Sequence, residues 1–286
     1  MQLKLAPWAL LAVAAMWGIS FVWMKDILDQ QDVYSFLVSR FLVAAVAMIV
    51  IKPKVIKQFN KELVAKGLII GAALGAGYIF QTLGLERTTP AITGFITGLY
   101  VVITPLLAFI FLKEKLTLSM WGYILLAVLG LAVLSIQGWS VGSGELFVLM
   151  SAALFALHII LLGSWSKSFD AYALTVIQLT SCAIVAAIPA SINGYVSPPD
   201  SQVWSVILFT AIFATAFAFV IQTWSQARIS TTKVAVILTM EVVFAALFSF
   251  MYGMEPFTLR LALGGGMVLI AMLAIVQPRV SNNSNS

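Results

Sequence analysis

Charge is what this sequence has least of. Only 9% of its 286 residues are Asp, Glu, Lys or Arg, while 62% are apolar. A water-soluble chain carries about a quarter charged residues and roughly half apolar ones, so a soluble domain is excluded. Cysteine is nearly absent. Cys182 stands alone inside an apolar run, which excludes a disulfide framework and a cysteine-based metal site. His158 is the sole histidine, and the chain contains no HExxH, no paired aspartates and no G-x-x-x-x-G-K-[ST] loop. Those gaps remove the usual residues of a zinc hydrolase and of direct nucleotide drive. No catalytic residue, metal or cofactor is expected.

Long apolar runs are what the chain has in place of charge. Ten occur, at about 5–24, 33–51, 64–85, 91–112, 119–137, 144–163, 170–190, 203–225, 231–252 and 258–277. Each is near the roughly 20 residues that a bilayer-crossing helix needs. The connections are short, so the chain reads as an all-α integral membrane protein of ten transmembrane helices. The first run is too long for a signal-peptide core and nine more follow, so it reads as a retained helix. The last residues, 278–286, form a polar tail.

The net charge of +5 could suggest nucleic acid, but its placement has a simpler cause. With both termini in the cytoplasm, Lys4, Lys52, Lys54, Lys57, Lys61, Lys66, Lys113, Lys115, Lys167, Arg228, Lys233 and Arg279 fall inside. Lys25, Arg87 and Arg260 fall outside, and Arg40 lies within a helix. This is the positive-inside pattern of a multi-pass protein, here of a bacterial inner membrane. No nucleic acid and no obligatory protein partner are implied, and the chain reads as a monomer in lipid.

The sequence also contains a second, diverged copy of itself. Residues 81–118 align without gaps on 222–259, and 11 of these 38 positions are identical. Gln81-Thr82 falls on Gln222-Thr223, Arg87 on Arg228, and Glu114-x-x-Thr117-Leu118 on Glu255-x-x-Thr258-Leu259. The halves are 1–137 and 144–277, with five helices each. Five is odd, so the second copy is expected upside down. The charges agree with that: Lys113-Glu114-Lys115 is inside, whereas its counterpart Met254-Glu255-Pro256 has lost both lysines. Such inverted repeats support alternating access to a central site.

In lipid, polar side chains face protein or water, so their spacing marks the interior face. Thr93, Thr97, Tyr100 and Thr104 share one face of the fourth segment. Tyr78 and Gln81 lie on the third, and Thr215, Phe219, Gln222 and Gln226 on the eighth. The repeat places Glu241 at the Tyr100 position. A weaker alignment, pairing Ala14-Ala15-Met16-Trp17 with Ala152-Ala153-Leu154-Phe155, sets Ser20 opposite His158 and Arg40 opposite Gln178. Segments 1, 3, 4, 6, 8 and 9 can therefore converge on one cavity. The expected lining is Trp17, Ser20, Tyr78, Gln81, Thr97, Tyr100, Phe155, His158, Phe219, Gln222 and Glu241.

Three ionisable residues lie at membrane depth. An acidic residue at a helix centre costs about 3 kcal/mol on insertion scales. Glu241 therefore needs a buried partner, a proton or access to water, and it serves either substrate or proton coupling or as a helix–helix contact. His158 titrates in a useful range, and reads as pocket lining, packing residue or proton carrier. Arg40 reads as structural, held in an ion pair or snorkelling to the interface. Trp17, Tyr78, Tyr100 and Phe155 are either an aromatic pocket wall or core packing. Of the remaining tryptophans, Trp8, Trp23, Trp121, Trp139, Trp165, Trp204 and Trp224 fall near span ends, as an interfacial belt does. Gly67, Gly71 and Gly75, and Gly94 and Gly98, mark close helix contacts. Pro105 is expected to kink its segment.

The stretch from Gln81-Thr82-Leu83-Gly84-Leu85 through Pro105-Leu106-Leu107-Ala108 to Leu112-Lys113-Glu114-Lys115-Leu116-Thr117 resembles the signature of EamA-type transporters in the drug/metabolite transporter superfamily. So does its second copy, Met240-Glu241-Val242-Val243-Phe244-Ala245-Ala246-Leu247 closing on Gly253-Met254-Glu255-Pro256-Phe257-Thr258. Met16-Trp17-Gly18-Ile19-Ser20-Phe21 and Arg40-Phe41 match too, while Val242 stands where the family usually has Pro. The resemblance implies a ten-helix basket with a cavity between segments 1–4 and 6–9, and with segments 5 and 10 peripheral. It also implies export of amino acids, drugs or other small metabolites. The expectation is a secondary exporter of small amphipathic metabolites such as amino acids, either proton-coupled through Glu241 or His158 or uncoupled. A multidrug or nucleobase transporter of the same fold is the alternative. An intramembrane enzyme or a membrane scaffold is a remote one, since no oriented triad accompanies Ser20 and His158.

Overall fold

The computed structural model describes residues 2–88, 90–114, 117–135, 142–253, 256 and 258–276. Trp139, Lys115, Glu255 and the tail 278–286 lie outside the described residues. Among the described residues the chain is helical, without strands. The first half contributes α1 (Gln2–Ile27), α2 (Val33–Ile51), α3 (Lys61–Arg87), α4 (Pro90–Gly98), α5 (Tyr100–Leu112) and α6 (Leu118–Ser135). The second contributes α7 (Ser143–Trp165), α8 (Ala171–Asn193), α9 (Ser201–Ala211), α10 (Ala218–Gln226), α11 (Thr231–Leu238), α12 (Met240–Met251) and α13 (Leu259–Val276). Eight helical stretches are long and apolar enough to cross a membrane, and the helices at 118–130 and 262–274 are shorter apolar ones.

Helix starts follow the local sequence. Asp32, Asn60, Asp170 and Asp200 each accept a hydrogen bond from the backbone N–H three residues on, at 2.9–3.0 Å. These caps satisfy first-turn donors that would otherwise lack partners, so α2, α3, α8 and α9 begin where their own chain supplies an oxygen.

Three spans expected as single helices are continuous but locally irregular. The fourth tightens for one residue at Leu99, between α4 and α5, and the ninth at Thr239, between α11 and α12, both with right-handed helical dihedrals. Leu99 lies six residues before Pro105, which is inside α5. The ninth tightens although Val242 replaces the family's proline. There the Thr239 hydroxyl donates to the Val236 carbonyl at 2.6 Å, and Val242 N–H bonds back to Thr239 O. The eighth segment carries a π-helical turn, Ile212–Phe217, between α9 and α10.

The halves interlock reciprocally. Helix α3 packs on α7 and α8; correspondingly α10 packs on α1, and α9 on α2. Helix α12 packs on α1 as α5 packs on α7, while α2 meets α8 and α6 meets α13. Exchanging the halves turns each contact into another of the set. The glycine stripe of α3 explains its approach to α8. A Cβ at Gly75 would lie 3.0 Å from Cys182 Cα, and one at Gly71 would overlap the Gln178 carbonyl. Outward faces are apolar, with Leu42, Val50, Phe109, Ile110, Phe111, Ile184 and Ile188 exposed, whereas buried positions include Gln81, Gln178, Gln222, Thr175 and Thr223. That inverted polarity suits a lipid surround.

Candidate functional site

A cavity lies between the halves. Ten of the expected residues line it: Trp17, Ser20, Tyr78, Gln81, Tyr100, Phe155, His158, Phe219, Gln222 and Glu241. Thr97 stands one layer back, where its hydroxyl accepts from Gln81 Nε2 at 3.2 Å. Sequence reasoning did not assign Arg40, Phe21, Met24, Leu74, Ile159 or Leu238 to the lining. The apolar members carried no signal, since an apolar residue on a helix reads alike whether it faces a cavity or a neighbour. Among the described residues, none of α6 or α13 lines it.

The wall is aromatic. Tyr78 meets Phe155 edge-on with ring centres 5.2 Å apart, and Trp17 and Phe219 lie 5.5 Å apart. Trp17, the tryptophan outside the interfacial belt, donates from Nε1 to the Ala214 carbonyl at 2.8 Å. That carbonyl belongs to the π-helical turn, so the wide turn gives α1 an acceptor. His158 lines the cavity but its Nε2 is 3.1 Å from Gln178 Oε1, and its ring meets Phe219 edge-on. One imidazole nitrogen is thus committed to a structural contact. Ser20 donates to the Trp17 carbonyl of its own helix at 2.7 Å.

Arg40 corrects an expectation. It is 1% exposed, so it does not snorkel, and it has no ion-pair partner among the described residues. Its Nε donates to Thr215 Oγ1 at 2.7 Å, and its terminal nitrogens reach the Ala214 carbonyl and Met24 Sδ, each at 3.4 Å. The guanidinium also lies 4.8 Å from the Tyr78 ring centre. Neutral acceptors and a π face hold it, because the π-helical turn presents a hydroxyl and a carbonyl where the sequence suggested an acid. A buried guanidinium tolerates such a cradle through its several donors and its affinity for ring faces.

Glu241 is 4% exposed and lies in the first turn of α12, just past the tightening at Thr239. Its Oε1 is buried without a hydrogen-bond partner, and so are Tyr100 Oη and Gln222 Oε1. Tyr100 opens α5 just past the equivalent tightening. Native proteins leave few buried polar atoms unmatched, so a cluster of them on one cavity marks unused binding capacity. The cavity thus presents one buried cation and one carboxyl, not joined to each other, with an aromatic wall. The described residues contain no group of His, Cys, Asp and Glu fit to hold a metal ion.

Known proteins share this fold and family pattern. The model of the EamA-like transporter family matches residues 4–136 and again 142–277. An uncharacterized transporter of Archaeoglobus fulgidus is 30% identical over 94% of this chain and 85% of its own length. A chloroplastic WAT1-related protein of Arabidopsis thaliana is 24% identical, over 92% of this chain and 67% of its own. A solved crystal structure, 14% identical, superposes with a TM-score of 0.77 over 96% of this chain and 95% of that one, which is a likeness of fold.

Proposed function

This chain belongs to the EamA-like transporter family, a multi-pass membrane family of transporters, and from that premise we propose a secondary exporter of small amphipathic metabolites. The substrate class is amino acids or closely related dipolar compounds. One observation carries the proposal: Arg40 and Glu241 are both buried on the same aromatic-walled cavity and are not paired with each other. An unpaired buried carboxylate is costly, and a dipolar ligand meets that need best. Its ammonium group sits at Glu241 beside Gln222 Oε1, its carboxylate faces the Arg40 side, and its apolar part lies against Trp17, Tyr78 and Phe219.

Transport proceeds by alternating access, with two inverted five-helix halves (1–137 and 144–277) rocking about the cavity. The reciprocal contacts between the halves support this. The apolar runs and the placement of Lys and Arg support ten crossings with both termini cytoplasmic, and we take the membrane to be a bacterial inner membrane. Glu241 is the favoured proton-coupling group, because Oε1 has no partner whereas His158 Nε2 is held by Gln178.

The test is counterflow in proteoliposomes against amino acids, nucleobases and cationic drugs. Accelerated exchange of amino acids is expected. Exchange of nucleobases or cations alone would move the assignment to the alternative substrate classes, and no flux with folded protein would reject transport.

A further inference from the structure

Five helix starts invite comparison. Helices α2, α3, α8 and α9 are capped by side chains of their own chain segment. Helix α11 is not. Its local candidate, Ser230, makes no capping bond, and its hydroxyl is buried without a partner. The cap comes instead from Glu114, 117 residues earlier, in the other half. Glu114 Oε1 accepts from Thr231 N–H, and Oε2 accepts from the Thr232 hydroxyl, both at 3.0 Å.

The surroundings serve this contact. Lys113 adopts the left-handed conformation, φ 54°, and turns the chain at the end of α5 so that Glu114 follows outside the helix. On the far side, Gly163 of α7 lets Thr231 lie close, since a Cβ there would come within 2.8 Å of Thr231 Oγ1. Thr231 and Thr232 are both buried. A carboxylate that accepts two hydrogen bonds at a helix N-terminus is held by charge-assisted bonds and by the helix dipole.

Position gives the contact its consequence. Helices α5 and α11 belong to opposite halves and pack on each other. Helix α5 begins at Tyr100, and α11 ends at Leu238, and both residues line the cavity. From the cavity the two helices run together to the Glu114 clasp, at the end of the bundle that carries Lys113 and Lys233. We propose that Glu114 is the gate residue of that end: its clasp on Thr231 and Thr232 must open before the cavity can. This rests on the transporter reading above.

The repeat makes the gate one-sided. At the offset of 141, Glu114 corresponds to Glu255, Thr231 to Pro90 and Thr232 to Ala91. Pro90 has no backbone N–H and Ala91 no hydroxyl. The two donors used by Glu114 have no counterpart at these positions, so this pair of bonds belongs to one end only. A helix whose cap lies in the other half is complete only when the halves are docked there, which ties a local hydrogen-bond pair to a global state.

The experiment uses side-specific labelling. In a Cys182→Ser background, Ser20→Cys places a reporter thiol on the cavity. A membrane-impermeant maleimide is applied to right-side-out and inverted vesicles. With the clasp intact, labelling from the Lys113/Lys233 face is slow. Glu114→Gln and Thr232→Val are each expected to speed it roughly tenfold, as loss of a charge-assisted bond implies. Thr232→Ser, which keeps the hydroxyl, should remain slow, and labelling from the opposite face should not rise. Unchanged rates in both variants, or equal rises from both faces, would overturn the gate. Counterflow on Glu114→Gln and Thr232→Val with Ser20 and Cys182 intact, beside the unsubstituted protein, separates the two proposals: sided labelling without flux in the unsubstituted protein leaves the gate standing and removes transport, whereas flux with unsided labelling removes only the gate.

Discussion

Segments four and nine occupy equivalent places in the two halves, and they kept one property while losing another. Both tighten for one residue, at Leu99 and at Thr239, and both set a polar residue on the cavity within the next two positions. In the first half that residue is Tyr100, in the second Glu241, and each carries a buried polar atom without a partner. The backbone tightening survived duplication even though Val242 stands where proline is usual. The side chain did not survive. The tightened turn is followed by a residue at the cavity, and divergence then sets its chemistry, a neutral phenol in one half and an ionisable carboxyl in the other.

The largest expected effect breaks this pair directly. Glu241→Gln should reduce substrate exchange by about 100-fold, the scale of losing one partner of a buried charge contact, and should flatten its pH dependence. Tyr100→Phe, which removes only a hydroxyl, should stay within about threefold. Proteoliposome exchange across a pH series checks both. Equal losses would mean that the two positions remain equivalent; unchanged pH dependence in Glu241→Gln would remove its coupling role.

A smaller effect concerns the other buried charge. Arg40→Met keeps bulk but strands Thr215 Oγ1 and the second bond to the Ala214 carbonyl. A loss of about 1–3 kcal/mol is expected, read as a lower unfolding temperature in detergent. Arg40→Lys should recover only part of it, since an ammonium cannot serve Thr215, Ala214 and the Tyr78 face together. Full recovery would show that charge alone matters there.

The last comparison sets two glycines on different helices side by side, Gly71 of α3 and Gly94 of α4. Gly71→Ala pushes a methyl into the Gln178 backbone and should destabilise by about 1–3 kcal/mol. Gly94→Ala meets only Val242 side-chain carbons at 3.5 Å or more and should lie within about 0.5 kcal/mol. Thermal unfolding of the two variants measures the difference, and equal shifts would discount the α3–α8 approach.

Much of this site was legible in the linear sequence. Trp17, Tyr78, Gln222 and Glu241 could be placed on the cavity because a helix in lipid must turn such residues inward, and the repeat doubled each observation. Arg40 was misjudged for a physical reason. A sequence shows the charge but not the neutral groups able to hold it, and the Ala214 carbonyl becomes available only because the chain takes a π-helical turn. Glu114 was visible as a repeated motif, yet its partners lie 117 and 118 residues away.

By itself the sequence determined the all-helical membrane character, the duplicated halves with their register, and the polar faces that meet at the cavity. Lipid enforces these, since backbone groups must pair within each segment and polar side chains must leave the apolar surface. The tertiary structure alone decided where the helices tighten or widen, which neutral groups cradle Arg40, and that α11 takes its cap from the opposite half. Those outcomes depend on distant donors and acceptors meeting within about 3 Å, and no local pattern encodes such meetings.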